Sequence, residues 1–153
     1  MRLRWDEALA LPGADQMRYA RRLIESRPFF DRVPDRSLVP DDGGHQDDPV
    51  LTTRATDGAY AFVYVPDGRP LTLDLRALGG DTVVGHWFDP RRGTAETIGR
   101  HRADGLVEFR PPSAGRGNDW VLVLDDAARL FPLLGAKRSG QSDRRRSADA
   151  AQV

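Results

Sequence analysis

The run Trp120-Val121-Leu122-Val123-Leu124 decides the fold of this chain. Five consecutive apolar residues, mostly β-branched or aromatic, are typical of a strand that is buried on both faces. The glycines and the Asn-Asp pair of residues 114–119 predict a turn that leads into this strand. A strand without a polar face must lie centrally in a sheet, so other segments of the chain must cover it on both sides.

The segments before this run show the period of two that is typical of β-strands. Turn signals such as Asp57-Gly58 and Asp89-Pro90 separate short stretches of alternating apolar and polar residues. About seven such strands, with turns roughly every 8–12 residues, predict an all-β fold. The architecture that we expect is an antiparallel β-sandwich over residues 50–126, with a barrel as the alternative.

Residues 1–49 predict a helix and a Pro-rich connector. An apolar stripe at helical spacing is formed by Met17, Ala20, Leu23 and Ile24. The helix is predicted to end before Pro28. Its stripe packs either against the sheet of this domain or against a partner outside the chain. The connector that follows is predicted to be extended, with anchoring apolar side chains and no regular secondary structure.

Two further segments carry few large apolar residues. The loop 41–48 is acidic, and clustered carboxylates are the ligands that Ca²⁺ prefers. Because the loop lacks the EF-hand spacing and its terminal glutamate, a solvated acidic loop is the interpretation that we favour. Residues 127–153 are predicted to pack loosely at first and then to form a disordered tail.

Composition excludes several classes of function. The 153 residues carry 23 basic and 23 acidic side chains, so no net field attracts nucleic acid or an anionic membrane. The absence of cysteine excludes disulfides and thiolate metal sites. No apolar run approaches the roughly 20 residues of a membrane span, and the N-terminus shows no apolar signal core. We therefore expect neither nucleic acid nor membrane as a partner.

Catalytic and cofactor motifs are incomplete. Ser113 lacks the first glycine of a nucleophile elbow, and residues 115–120 lack the third glycine of a dinucleotide fingerprint. The three histidines, none of which forms a pair with metal-ligand spacing, are His45, His86 and His101. Glu96 and Glu108 are either a glycosidase pair or charges on outward sheet faces, and we favour the second interpretation. No catalytic residue, metal or cofactor is expected.

Three residues are candidates for ligand binding. Trp87 ends a strand beside a turn, where an aromatic face can stack on a sugar or peptide ring; core packing is the alternative. Asp89 begins that turn. Arg116 lies between two glycines and presents a guanidinium either to a ligand, to Asp119 or to an acidic group of a neighbouring domain.

These motifs resemble a known family. The family described as the putative collagen-binding domain of a collagenase is similar to this chain at residues 87–93 (WFDPRRG) and 111–124 (PPSAGRGNDWVLVL). Two shorter segments, residues 57–60 and 63–66, fit the same family. The resemblance covers residues 50–126. It implies a β domain that follows an apiosidase-like glycoside-hydrolase (β/α)8 barrel in proteins that resemble secreted ones.

The resemblance also implies a partner. Residues 12–17 and 26–28 are similar to the last barrel helix and its exit, whereas the barrel and its catalytic carboxylates are missing from the chain. We therefore expect a non-catalytic accessory domain that docks on a catalytic barrel and contacts polysaccharide or a collagen-like polymer. The alternatives are a small glycoside hydrolase in its own right and a truncated frame without independent function.

Overall fold

The computed structural model describes residues 12–41 and 49–134. Helix α1 (Pro12–Glu25) precedes eight strands. The strands are β1 (Arg32–Pro34), β2 (Leu51–Ala55), β3 (Tyr60–Val65), β4 (Leu71–Asp74), β5 (Thr82–Asp89), β6 (Thr94–Arg102), β7 (Leu106–Phe109) and β8 (Trp120–Asp126). Of the predicted acidic loop only Asp41 is described, and the predicted disordered tail at 136–153 lies outside the described residues.

The strands form two antiparallel sheets. The larger sheet has six strands in the order β1-β2-β3-β8-β5-β6, and the smaller one pairs β4 with β7. Strand β8 lies between β3 and β5, with Val123 opposite both Phe62 and His86. The predicted central position of this strand is confirmed, and so is the all-β, sandwich-like fold with an N-terminal helix.

The two faces of β8 enter two separate apolar clusters. Leu122 and Leu124 lie in the core between the large sheet and the β4–β7 pair, together with Leu73. Val121 and Val123 lie on the opposite face, in a cluster that includes Leu23 of α1. Each fully buried side chain of this size stabilises the fold by about 1.5–3 kcal/mol. The core shared with the β4–β7 pair therefore lies on one face of the large sheet, and the cluster that includes Leu23 lies on the other.

The eighth strand comes from the connector. The prediction that this segment has no regular structure is wrong for Arg32–Pro34, which pair with β2 so that Val33 lies opposite Arg54. Pro34 can belong to a strand here because β1 is an edge strand, where a missing N–H costs no ladder bond. Leu38 follows in a 3₁₀ turn and is fully buried in the core, as an anchoring side chain should be.

Helix α1 packs against this sheet with only part of its apolar stripe. Leu23 is buried, and the ring of Tyr19 lies against the backbone of Gly93, where a Cβ atom would come within 2.3 Å of the ring. Met17, by contrast, is 70% exposed and Ile24 is 40% exposed. Packing against the sheet of this domain therefore holds for Leu23, while packing of Met17 and Ile24 against a partner outside the chain stays a prediction. No helix in the described part of the chain is long and apolar enough to cross a membrane.

Candidate functional site

The two longest sequence motifs meet at one end of the large sheet, and Arg91 joins them. Its Nη1 donates to the main-chain oxygen of Gly117 at 2.8 Å and to Oδ1 of Asn118 at 3.2 Å. Its guanidinium also lies 5.2 Å from the centre of the Trp120 ring. The turn at 89–93 and the loop at 113–119 are thereby held together as one rim, which we call the loop rim.

Asp89 shapes the rim from within. The side chain is buried and accepts from the backbone N–H of Arg91 at 2.9 Å and from its Nε at 2.8 Å. Burial by itself would raise the pKa of Asp89, but the hydrogen bonds from Arg91 outweigh it and lower the pKa below the usual range. The carboxylate is thus fully used in organising the turn.

Trp87 lies in the core. Its side chain is 1% exposed and packs edge-to-face on Trp120, with ring centres 6.4 Å apart. A stacking site for a sugar or peptide ring needs an exposed face, which Trp87 does not offer, so its position agrees with the core-packing alternative. Trp120 in turn donates from Nε1 to Oγ of Ser113 at 3.1 Å, and Ser113 donates to Oδ1 of Asn118 at 2.9 Å.

Arg116 is the predicted binding residue that remains exposed. It lies between Gly115 and Gly117, which both have positive φ, at the tip of the 113–119 loop. Within residues 12–41 and 49–134, no hydrogen bond or ion pair engages its side chain. Asp119, the neighbour that could have paired with Arg116, lies instead with Oδ1 3.9 Å from Nε of Arg91.

The two candidate carboxylates lie in different sheets. Glu96 is exposed on β6 opposite Trp87, and Glu108 is exposed on β7 opposite Thr72. Glu108 forms an ion pair with Arg110. Both side chains have the exposure of charges on outward sheet faces, the interpretation favoured from the sequence.

A buried ionic network, which the local sequence patterns did not reveal, connects the segment that follows α1 to β8. Arg27 is 3% exposed and Asp125 is 5% exposed. The guanidinium makes two parallel bonds, from Nε to Oδ1 at 2.8 Å and from Nη2 to Oδ2 at 2.6 Å. Its Nη1 donates to the main-chain oxygen of Pro132 at 3.3 Å, and its Cζ atom lies 4.7 Å from the centre of the Phe131 ring.

His86 completes this network from β5. Its Nε2 lies 3.4 Å from Oδ2 of Asp125, and its Nδ1 lies 2.9 Å from Oγ1 of Thr97. Burial by itself would raise the pKa of Asp125, but Arg27 and then His86 lower it below the usual range. No group of three metal-ligating side chains forms among the described residues. His86 lies opposite Thr97 of β6, and His101 lies opposite Val83 of β5; His45 lies outside the described residues.

An exposed apolar surface, which we call the apolar patch, runs along α1 into the following loop. Its members are Met17, Ile24, Phe29 and Phe30. Phe30 is 97% exposed and packs edge-to-face on Phe29, with ring centres 5.9 Å apart. The expectation that the connector's aromatic side chains are anchors in this domain is therefore wrong for these two residues.

The base of the apolar patch is firmly held. Arg32 donates from Nη2 to the main-chain oxygen of Ile24 at 3.1 Å, and its guanidinium lies 5.6 Å from the centre of the Phe29 ring. The hydroxyl of Tyr60 donates to the main-chain oxygen of Pro28. These bonds fix the loop that carries Phe29 and Phe30 on the large sheet.

Comparison with known proteins shows that this chain is similar to parts of longer proteins. A family model described as "Putative collagen-binding domain of a collagenase" matches residues 33–125. A solved structure titled "Glycoside hydrolase" is 32% identical, with a TM-score of 0.76 over 84% of this chain. A glycoside hydrolase family 5 structure from Bacteroides vulgatus ATCC 8482 is 31% identical, with a TM-score of 0.76 over 89% of this chain. The chain spans 28% of each of these two proteins. The curated proteins give no match.

Proposed function

The chain belongs to the family described as "Putative collagen-binding domain of a collagenase", and from this membership we propose that it is a non-catalytic accessory domain of a glycoside-hydrolase-like protein. Both similar structures carry hydrolase titles, and this chain corresponds to a 28% portion of each. The described residues form antiparallel sheets, not the parallel strands of a (β/α)8 barrel. In this proposal residues 1–49 connect the accessory domain at 50–126 to a catalytic barrel, and residues 127–153 follow the domain.

The domain docks on the barrel through the apolar patch. The observation that carries this proposal is Phe30, which is 97% exposed although its loop is held by Tyr60 and Arg32. A large aromatic side chain in water on a fixed loop is typical of the buried centre of an interface. Burying a Phe side chain stabilises a complex by about 1.5–3 kcal/mol. The patch also lies just before residue 33, where the family match begins.

A binding experiment tests this docking. The Bacteroides vulgatus hydrolase, produced without the segment that this chain matches, supplies the barrel, and calorimetry measures its affinity for this chain. Phe30→Asp should abolish detectable association. The matched control is Leu106→Asp, which places the same charge on another exposed apolar residue, on β7. Equal affinity of wild type and Phe30→Asp would contradict the proposal.

Binding of polysaccharide or a collagen-like polymer is the second proposed function. The family description supports a polymer ligand, and the unengaged guanidinium of Arg116 at the loop tip supports a binding position. Pull-down on insoluble collagen and on cellulose tests this role. Wild type should be retained on at least one of them and Arg116→Ala should be retained less, with an unchanged thermal unfolding curve. Retention that does not change would remove Arg116 from the binding surface.

A further inference from the structure

We infer that the loop rim is a binding surface for an anionic glycan, which Arg92 and Arg116 contact through carboxylate or sulfate groups. This inference rests on the polymer-binding half of the proposed function and names its ligand class. Three observations carry it: the convergence of the two arginines, the local balance of charge, and the rigidity of the backbone beneath them.

The convergence follows from the bonds of Arg91. Because its Nη1 lies 2.8 Å from the oxygen of Gly117, the chain neighbours Arg92 and Arg116 belong to adjoining loops at the same end of the sheet. Both residues are exposed. A third guanidinium, that of Arg22, lies 5.5 Å from the centre of the Tyr19 ring, and this ring packs against Gly93. Three exposed arginines therefore lie on or beside the rim.

The carboxylates of the rim are already engaged. Asp89 is buried under Arg91, and Asp119 lies beside the same guanidinium. Asp67, from the adjoining turn, pairs with Arg69 at 3.0 Å. No hydrogen bond or ion pair in the described ranges engages the side chains of Arg92 and Arg116. Although the chain as a whole carries no net charge, this end presents Arg92 and Arg116 outward, whereas each of its three aspartates lies beside an arginine.

The backbone beneath these arginines is preorganised. Gly115 donates from its N–H to the main-chain oxygen of Asp67 at 2.8 Å, and Gly93 donates to that of Asp89 at 2.8 Å. Gly68 lies so close to the oxygen of Ser113 that a Cβ atom would come within 2.1 Å of it. A surface that is ordered before binding loses less conformational entropy when a ligand arrives.

The chemistry selects an anionic ligand. A guanidinium donates two parallel hydrogen bonds to the two oxygens of a carboxylate or a sulfate. A neutral sugar hydroxyl has one oxygen and no charge, so it cannot accept both bonds in this way. Stacking on a neutral sugar ring would need an exposed aromatic face, and the two tryptophans beside the rim, Trp87 and Trp120, pack on each other. A glycan is favoured over other polyanions because both similar structures are titled as glycoside hydrolases.

Affinity electrophoresis of the full chain tests the inference. Gels contain alginate, which carries carboxylates, dextran sulfate, which carries sulfates, or neutral dextran. At low salt, wild type should be retarded by at least one of the two polyanions and not by dextran. An exposed guanidinium–anion pair changes affinity by up to about 5-fold, so Arg92→Gln/Arg116→Gln should weaken binding by up to about 25-fold. Added salt should weaken wild-type binding as well.

The matched control is Arg100→Gln, with Arg92→Glu/Arg116→Glu as the stronger perturbation. Arg100 is exposed on β6 opposite Val84, about 17 Å along the sheet from Asp89. Loss of binding in the rim variants, with little loss in the Arg100→Gln variant and unchanged circular dichroism, supports the inference. Equal losses of affinity in the rim variants and in Arg100→Gln would overturn the inference, because binding would then depend on positive charge anywhere on the surface.

Failure of this inference can be told apart from failure of the proposed functions. Retention on collagen or cellulose without retardation by alginate or dextran sulfate overturns the anionic ligand and leaves polymer binding standing. No binding to any of these polymers contradicts both. Docking on the barrel is measured separately through Phe30, so neither result changes its outcome.

Discussion

Replacing Arg27 by methionine should remove much of the stability of this fold. The substitution keeps most of the apolar stem and deletes the guanidinium that makes two bonds to Asp125 at 2.8 and 2.6 Å. With both residues at least 95% buried, the Asp125 carboxylate is left as an uncompensated charge in the interior. Breaking a buried pair in this way costs about 3–5 kcal/mol. His86, 3.4 Å away, offers the carboxylate a remaining partner, so we expect about 3 kcal/mol.

Urea unfolding followed by tryptophan fluorescence measures this loss. A loss of about 3 kcal/mol corresponds to a Tm lower by about 10 °C for a chain of this length. The control is Arg102→Met, which breaks the exposed pair with Asp104 and should cost less than about 1 kcal/mol. Arg27→Met/Asp125→Leu removes both charges and should recover at least half of the loss. If the free energy of unfolding of Arg27→Met lies within about 1 kcal/mol of the wild-type value, this pair does not hold the segment after α1 to β8.

Three further predictions address acid stability, helix docking and catalysis. The pKa of Asp125 is lowered in the fold, so the contribution of this carboxylate to stability is present above about pH 4 and is lost as pH falls through the folded-state pKa. Asp125→Asn should therefore lose less of its free energy of unfolding in acid, as urea titrations at pH 2–5 would measure. Gly93→Ala should destabilise the fold by about 1–3 kcal/mol, since its φ is 68° and its Cβ would overlap the Tyr19 ring; an unchanged unfolding midpoint would show that the contact is loose. The chain should release no sugar from a broad panel of glycans, and turnover that Glu108→Gln abolishes would instead support a small hydrolase.

The parts of the fold that the sequence predicts are those governed by local pattern. The apolar run at β8 required cover on both faces, and the structure supplies it from Leu73 on one side and Leu23 on the other. Turn signals such as Asp57-Gly58 placed the hairpins because a positive φ, 72° at Gly58, selects glycine. These signals act over a few residues and are visible without the fold.

The features that escaped prediction depend on residues far apart in the chain. Arg27 and Asp125 are 98 positions apart, and each alone has the pattern of an ordinary charge at the end of an element. Strand β1 exists because its backbone meets β2, not because its three residues favour a strand. In the candidate site, the sequence identified Arg116 as a presented cation but could not show that Trp87 turns into the core or that Phe30 turns out of it.

Solvent access to the apolar patch in a fused protein tests the docking of this domain most directly. In the fusion, this chain replaces the matching segment of the Bacteroides vulgatus family 5 glycoside hydrolase, and hydroxyl-radical footprinting measures the oxidation rates of Met17 and Phe30. Both side chains are largely exposed in the domain described here. We predict that their oxidation slows at least about 5-fold in the fusion, while that of the exposed control Leu106 does not change. Equal oxidation rates in the isolated chain and the fusion would contradict docking through this surface.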